Sequence, residues 1–269
     1  VLIRAGYDIA LTVQAPTPMV LMLEVHPDRE PDLMTPQTPV FDPPVPTQRY
    51  LDGYGNRCTR VVAPVGTLRT SLSFVIADSG LPDRWMPGAR EVPVADLPAD
   101  CLLFLMGSRY CETDLLSSFA WSMFGHLAPG WGRVQAIVSF VHQHIRFDYQ
   151  QARPTRTAYE AYQEGVGVCR DYAHLAVTLC RCMNIPARYC TGYLGDIGIP
   201  PVDYPMDFSA WFEVWLEGQW FTFDARHNMP RIGRIVMARG RDATDVALTT
   251  TFGPAVLSNF FVTTYEEIG

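Results

Sequence analysis

The hydrophobic pattern of this chain changes period partway along, and that change limits the possible folds more than any other feature. Up to about residue 95, strand signals run over 3–13, 19–25, 49–63 and 67–77, with a Gly53-Tyr54-Gly55-Asn56 turn inside the third run. From about residue 114 the spacing becomes helical: Leu115, Leu116, Phe119, Met123 and Phe124, then Val134, Ile137, Val138, Val141 and Ile145. A chain that reads strands first and helices later belongs to the α+β class or divides into separate units. The expected division is a β-rich domain at 1–95, a linker at 96–113 and an α+β core at 114–269. Seven prolines from Pro27 to Pro46 forbid regular structure there and predict a long extended connection.

Composition narrows the function classes. With 269 residues, 48% of them hydrophobic and 18% charged, the chain can bury a large core. A net charge of −7 without any basic run works against a nucleic-acid partner or a polybasic membrane patch. The longest apolar runs, such as 18–23 and 102–106, fall far short of the roughly 18 residues a spanning helix needs, so no membrane partner is expected. Residues 1–7 alternate like a strand and show neither an h-region nor a small-residue cleavage site, which makes the cytoplasm the expected compartment. Seven cysteines, an odd count without framework spacing, fit reduced thiols better than a secreted scaffold. Cys180 and Cys182, two apart on a predicted helix, point about 200° from one another and cannot easily grip one ion. The same geometry disposes of His142 and His144, so neither a metal nor a cofactor is predicted.

One thiol stands apart. Thr157-Ala158-Tyr159-Glu160 matches a capping box and opens a short helix that Gly165 and Gly167 end just before Cys169. Cys169 then opens a second helix carrying Ala173, Ala176, Val177, Cys180 and Met183, which stops at Asn184-Ile185-Pro186. The unsatisfied N–H groups and positive dipole end of a helix favour thiolate over thiol, so Cys169 is expected to ionise below the ~8.5 of a free thiol.

Further on, 209–216 and 219–226 flank Glu217-Gly218, a two-residue turn that closes hairpins. Pairing Leu216 with Gln219 puts Trp211 opposite Asp224 and Ser209 opposite Arg226. Ser209, Trp211, Glu213, Trp220, Thr222 and Asp224 then share one face, while Ala210, Phe212, Val214, Leu216, Phe221, Phe223 and Ala225 form the core face. Ser209 and Asp224 become diagonal neighbours, roughly 7–8 Å apart at the backbone. A histidine at 209 would be oriented by Asp224, completing a nucleophile, base and orienter.

These blocks resemble a known group. Gly-Val-Cys-Arg-Asp-Tyr-Ala-His at 167–174, Ile-Pro-Ala-Arg-Tyr-Cys-Thr-Gly-Tyr at 185–193 and Ala-Trp-Phe-Glu-Val-Trp…Trp-Phe-Thr-Phe-Asp at 210–224 are similar to the three blocks of the bacterial transglutaminase-like superfamily. The strand-rich first hundred residues resemble the β domain that often precedes that core. The resemblance implies a papain-like α+β core, a helix-borne Cys169 nucleophile packed on an antiparallel sheet, and Asp224 as orienter. The family's histidine falls on Ser209.

Other candidates fit less well. His174 lies five positions past Cys169, about 140° around the helix, and points away from the thiol's face. His227 comes three after Asp224, with the wrong parity unless the strand breaks there. Trp211, Trp215 and Trp220 could line an acyl-binding cleft, with Trp211 as the substrate contact, or simply pack beneath the β domain. The sequence thus supports a cysteine acyl-transfer enzyme acting on a peptide, protein or small amide. The rivals are a binding module that keeps the fold without the chemistry, or an inactive form created by placing serine at 209.

Overall fold

Strand β1 (Leu2–Val13) shows how the first unit is built: Ile3, Ala5, Tyr7, Ile9, Leu11 and Val13 are buried, while Arg4, Asp8 and Thr12 between them are less so. This is the period-2 alternation of a strand with one face on a core. The computed structural model describes residues 1–202 and 205–267. After β1 come β2 (Thr17–Leu21), β3 (Val40–Asp42), β4 (Gln48–Leu51), β5 (Arg57–Ala63) and β6 (Gly66–Ala77). The proline stretch holds only a short 3-10 turn, Pro27–Asp32, and the three-residue β3, as proline's missing donor requires.

A crossing segment containing the one-turn helix α1 (Ala99–Leu102) leads into the second unit. There follow α2 (Thr113–Phe124), α3 (Trp131–His144), β7 (Arg146–Phe147), α4 (Ala158–Glu164), β8 (Val166–Gly167), α5 (Cys169–Cys182), β9 (Ala187–Tyr193), β10 (Ser209–Leu216), β11 (Gln219–Phe223), β12 (Ile235–Gly240), β13 (Thr249–Thr251) and β14 (Ala255–Glu266). The second unit's sheet runs β11-β10-β9-β12, all antiparallel. Helix α5 lies against β9 and β10 on one face of that sheet, and α2, α3 and α4 pack around it. Residues Asp171 to Cys182 are all buried, so this helix is the centre of its unit rather than a surface helix.

The division at 95 and 114 needs one correction. Strand β14 pairs with β1 and β13 pairs with β2, so the last strands complete the first unit's sheets, β14-β1-β6-β3 and β13-β2-β5-β4. Main-chain pairing shows this: both strands add to edges of the first unit's sheets and neither adds to β11 or β12, the edge strands of the second. One apolar cluster joins the units, since Tyr193, Ile197, Phe208, Ile235 and Met237 pack with Ile3, Phe74 and Ile76. Among the described residues, no helix is long and apolar enough to cross a membrane.

Candidate active site

The turn that delivers Cys169 is built as its sequence predicts. Thr157 Oγ1 accepts from the Glu160 N–H at 3.2 Å and Glu160 Oε2 accepts from the Thr157 N–H at 3.0 Å, the reciprocal capping box. Gly165 ends α4 in the left-handed region at φ 62°, a conformation without steric cost only for glycine. Two residues into α5, Asp171 folds back so that its Oδ2 accepts from the Val168 N–H at 2.8 Å and from Arg156 Nη1 at 3.2 Å. Arg156 and Asp171 are both buried, and Arg156 also reaches Glu164 Oε2 at 2.9 Å. The cysteine's turn therefore rests on a buried ion pair that sequence reasoning missed; an acidic residue at the third helical position was its visible signal.

Cys169 is partly buried and packs against Ala173, Tyr189, Ala210, Ala238 and Val246. Burial pushes its thiol up to about 11, against the downward pull of Arg226 and of the Ala210 backbone N–H. The direction is opposite to that expected from the helix terminus, and desolvation is its largest cause.

The β10–β11 hairpin has the predicted register, Leu216 with Gln219 through Phe212 with Phe223. Its turn residues Glu217 and Gly218 both have positive φ, 48° and 80°, as a type I′ turn requires. Pairing stops at Phe223, one step short of Asp224. There the chain coils: Asp224 Oδ1 accepts from the N–H groups of Arg226 and His227 at 3.0 and 3.1 Å, and the Asn228 N–H donates to the Asp224 carbonyl at 2.8 Å. Asn228 sits at φ 49° and its side chain accepts from Gln135 of α3 at 2.8 Å. The strand thus breaks where His227 needs it to break. His227 Nδ1 meets Asp224 Oδ2 at 2.8 Å, so parity does not exclude this histidine. Asn228 followed by Pro230 was the signal, a pair that ends strands.

Asp224 is buried and pairs with Arg234, at 2.9 Å through Nη2. Arg226 lies over the Phe147 ring at 3.9 Å. Burial works to raise the Asp224 carboxyl, but Arg234 and the bonds and charge of His227 outweigh it and hold the group well below the usual carboxylate range. Arg234 continues to Asp83 at 2.9 Å, fixing this corner to the segment that crosses between the units.

Ser209 opens β10 opposite Gly192 of β9. A Cβ on Gly192 would stand 2.0 Å from the Ile235 carbonyl oxygen of β12, so only glycine lets these strands close beside Ser209. Ser209 lines a cleft of about 330 Å³ together with Phe147, Tyr172, Asp207, Arg226 and His227. That volume falls at the lower end of small-ligand sites. Cys169 packs against the small apolar cluster that includes Ala210, the residue after Ser209. Trp211 is placed elsewhere: it is buried with Cys190 and Val236, under Arg234 at 5.0 Å, and faces a second, polar cavity with Glu213 and Arg239. His174 is buried too. Its Nε2 accepts from the Ala243 N–H at 3.1 Å, its ring stacks on Tyr110, and burial pushes it down to about 3. The structure therefore gathers Cys169, Ser209 and Asp224 around the open end of β10 and leaves Trp211 and His174 outside.

The sequence profile of the transglutaminase-like superfamily matches residues 120–225, which span the helices, Cys169 and the hairpin through Asp224. The chain belongs to this superfamily. It is 35% identical to an uncharacterized protein of Mycobacterium tuberculosis over 224 residues, covering 76% of this chain and 71% of that one. An uncharacterized protein of Mycobacterium leprae is 34% identical over 91 residues, a match that spans 33% of this chain and 32% of that protein. Among solved structures, a candidate cysteine protease from Cytophaga hutchinsonii superposes with a TM-score of 0.84 at 29% identity, over 98% of this chain and 90% of the other.

Proposed function

We propose that the protein is a cysteine-dependent acyl-transfer enzyme that opens a peptide or amide bond through a Cys169 thioester, releasing the acyl group to water or to an amine. The observation that carries this reading is the meeting of three elements. The first turn of α5 brings Cys169 against the cluster holding Ala210 at the opening of β10, the adjoining Ser209 lines a cleft with His227, and His227 is bonded to Asp224. A nucleophile on a helix start, a polar strand end and a fixed carboxylate form the framework of thiol acyl transfer. The likeness to the Cytophaga protein, described as a candidate cysteine protease, supports it.

The test is covalent trapping. Incubation with 4-nitrophenyl acetate, followed by peptide mapping, should place a hydroxylamine-labile acetyl group on Cys169, and Cys169→Ala should remove it. Acetylation that falls on other cysteines, or on none, would overturn the reading. Serine at 209 and a thiol held protonated favour a second reading, a peptide-binding module that retains the cleft without the chemistry. Under it, peptides would protect cleft residues from exchange while Cys169 stays unacylated.

A further inference from the structure

A thiol pushed up to about 11 carries little thiolate at neutral pH, so attack on a carbonyl requires a base that removes the proton as the bond forms. Position 209, where the family places its histidine, offers only a hydroxyl. The Asp224 corner holds another imidazole. We propose that His227, held by Asp224, is the general base of the Cys169 cleft. The inference rests on the acyl-transfer reading.

Three observations meet here. First, the ionised Asp224 can only accept, so the 2.8 Å contact makes His227 Nδ1 the donor, and the neutral form of the ring then carries its lone pair on Nε2. Second, the residue is held in place: the backbone N–H groups of His227 and Arg226 donate to Asp224 Oδ1, and Asn228 is tied to α3 through Gln135. Third, His227 lines the same cleft as Ser209, whose neighbour Ala210 belongs to the cluster against which Cys169 packs, and Asp224 and Arg226, which precede His227 in sequence, both act on the Cys169 thiol. Among the described residues, the charged and titratable groups around this imidazole are Asp224, Arg226, Arg231 and Arg234, with Asp196, Asp207 and His142 along the cleft. His142 donates from Nδ1 toward the carbonyls of Ala225 and Arg226, 3.1 and 2.9 Å away.

The step conserves its atoms. As Cys169 Sγ bonds to the substrate carbonyl carbon, the thiol proton passes to His227 Nε2 through one water or the Ser209 hydroxyl. When the C–N bond breaks, that proton goes to the departing amine. Water attacking the thioester gives its proton to the same nitrogen, which returns it to the thiolate leaving group.

The experiment follows Cys169 acetylation by 4-nitrophenyl acetate across pH in wild type, His227→Gln and His227→Ala, with thermal melts to confirm folding. General-base assistance is worth roughly 10²–10⁴-fold, so both variants should acetylate at least about tenfold more slowly. They should also lose the imidazole inflection of the wild-type pH–rate profile, and added imidazole should restore part of the rate to His227→Ala. If Cys169 acetylates in wild type and the His227 variants match it in rate and profile, or if the loss follows His142→Ala instead, the inference falls while the acyl-transfer reading stands. If wild-type Cys169 never acetylates, both fall. Should the alanine variant unfold, His227→Gln, which can still donate to Asp224, decides the question.

Discussion

The two sides of the cleft are held in opposite electrostatic states. At the Asp224 corner a buried carboxylate stays ionised because Arg234, His227 and two backbone N–H groups meet it, and Asp83 meets Arg234 in turn. At the Cys169 side burial holds the thiol toward its protonated form, since it packs against the apolar cluster of Ala173, Tyr189, Ala210, Ala238 and Val246, against the pull of Arg226 and one N–H. A site can thus retain the charged framework that steadies an imidazolium while leaving its nucleophile uncharged until a proton is taken from it.

The largest expected effect breaks the charged side. Asp224→Ala leaves Arg234 buried without one of its partners and should lower stability by about 3–5 kcal/mol in denaturant melts. Because the folded carboxyl titrates below the ~3.9 of an unfolded chain, this contribution is complete above that pH and disappears as pH falls through the folded value. Wild type and Asp224→Asn should therefore converge in stability in acid; parallel curves down to acid pH would show that the carboxylate is not the source.

The next effect probes the neutral side. Iodoacetamide labelling of Cys169 should keep rising with pH toward about 11 and should not level off near the ~8.5 of a free thiol. A plateau near neutrality would show that the two sides are charged alike.

Ser209→His would join them. An imidazole at the opening of β10 should raise acetylation of Cys169 by at least roughly tenfold. An unchanged rate in a folded variant would mean that the Asp224 corner cannot serve position 209. The smallest effect is at Thr157→Ala, which removes the cap next to Arg156 and should cost about 1 kcal/mol in a thermal or denaturant melt. If it also shifts the Cys169 labelling profile, the ion pair beneath the cysteine is coupled to that cap.

Much of this arrangement was legible along the chain because it depends on local rules. The capping box at Thr157, the glycine at 165, the helix beginning at Cys169 and the Leu216–Gln219 register all follow from spacing within a few residues. What escaped depends on partners distant in sequence. Arg234 reaches Asp224 from ten residues on, after the chain has coiled at Asn228. The burial of Cys169 comes from Tyr189, Ala210 and Ala238 on three different strands, which no helix-start pattern encodes. His227 was set aside by counting along a strand that ends at Phe223. The return of β13 and β14 to the first unit was hidden because strand-like runs do not name the edge they will find.

That return also orders the making of the molecule. Strand β1 must wait for β14, across roughly 250 intervening residues, before its sheet is closed on that side, and Arg4 pairs with Glu267 only then. The helical unit, whose contacts are mostly internal to residues 99–240, can condense first, while a long strand edge stays open to other chains. On the ribosome, the first unit would be the part exposed longest to mispairing, along the free edge of β1.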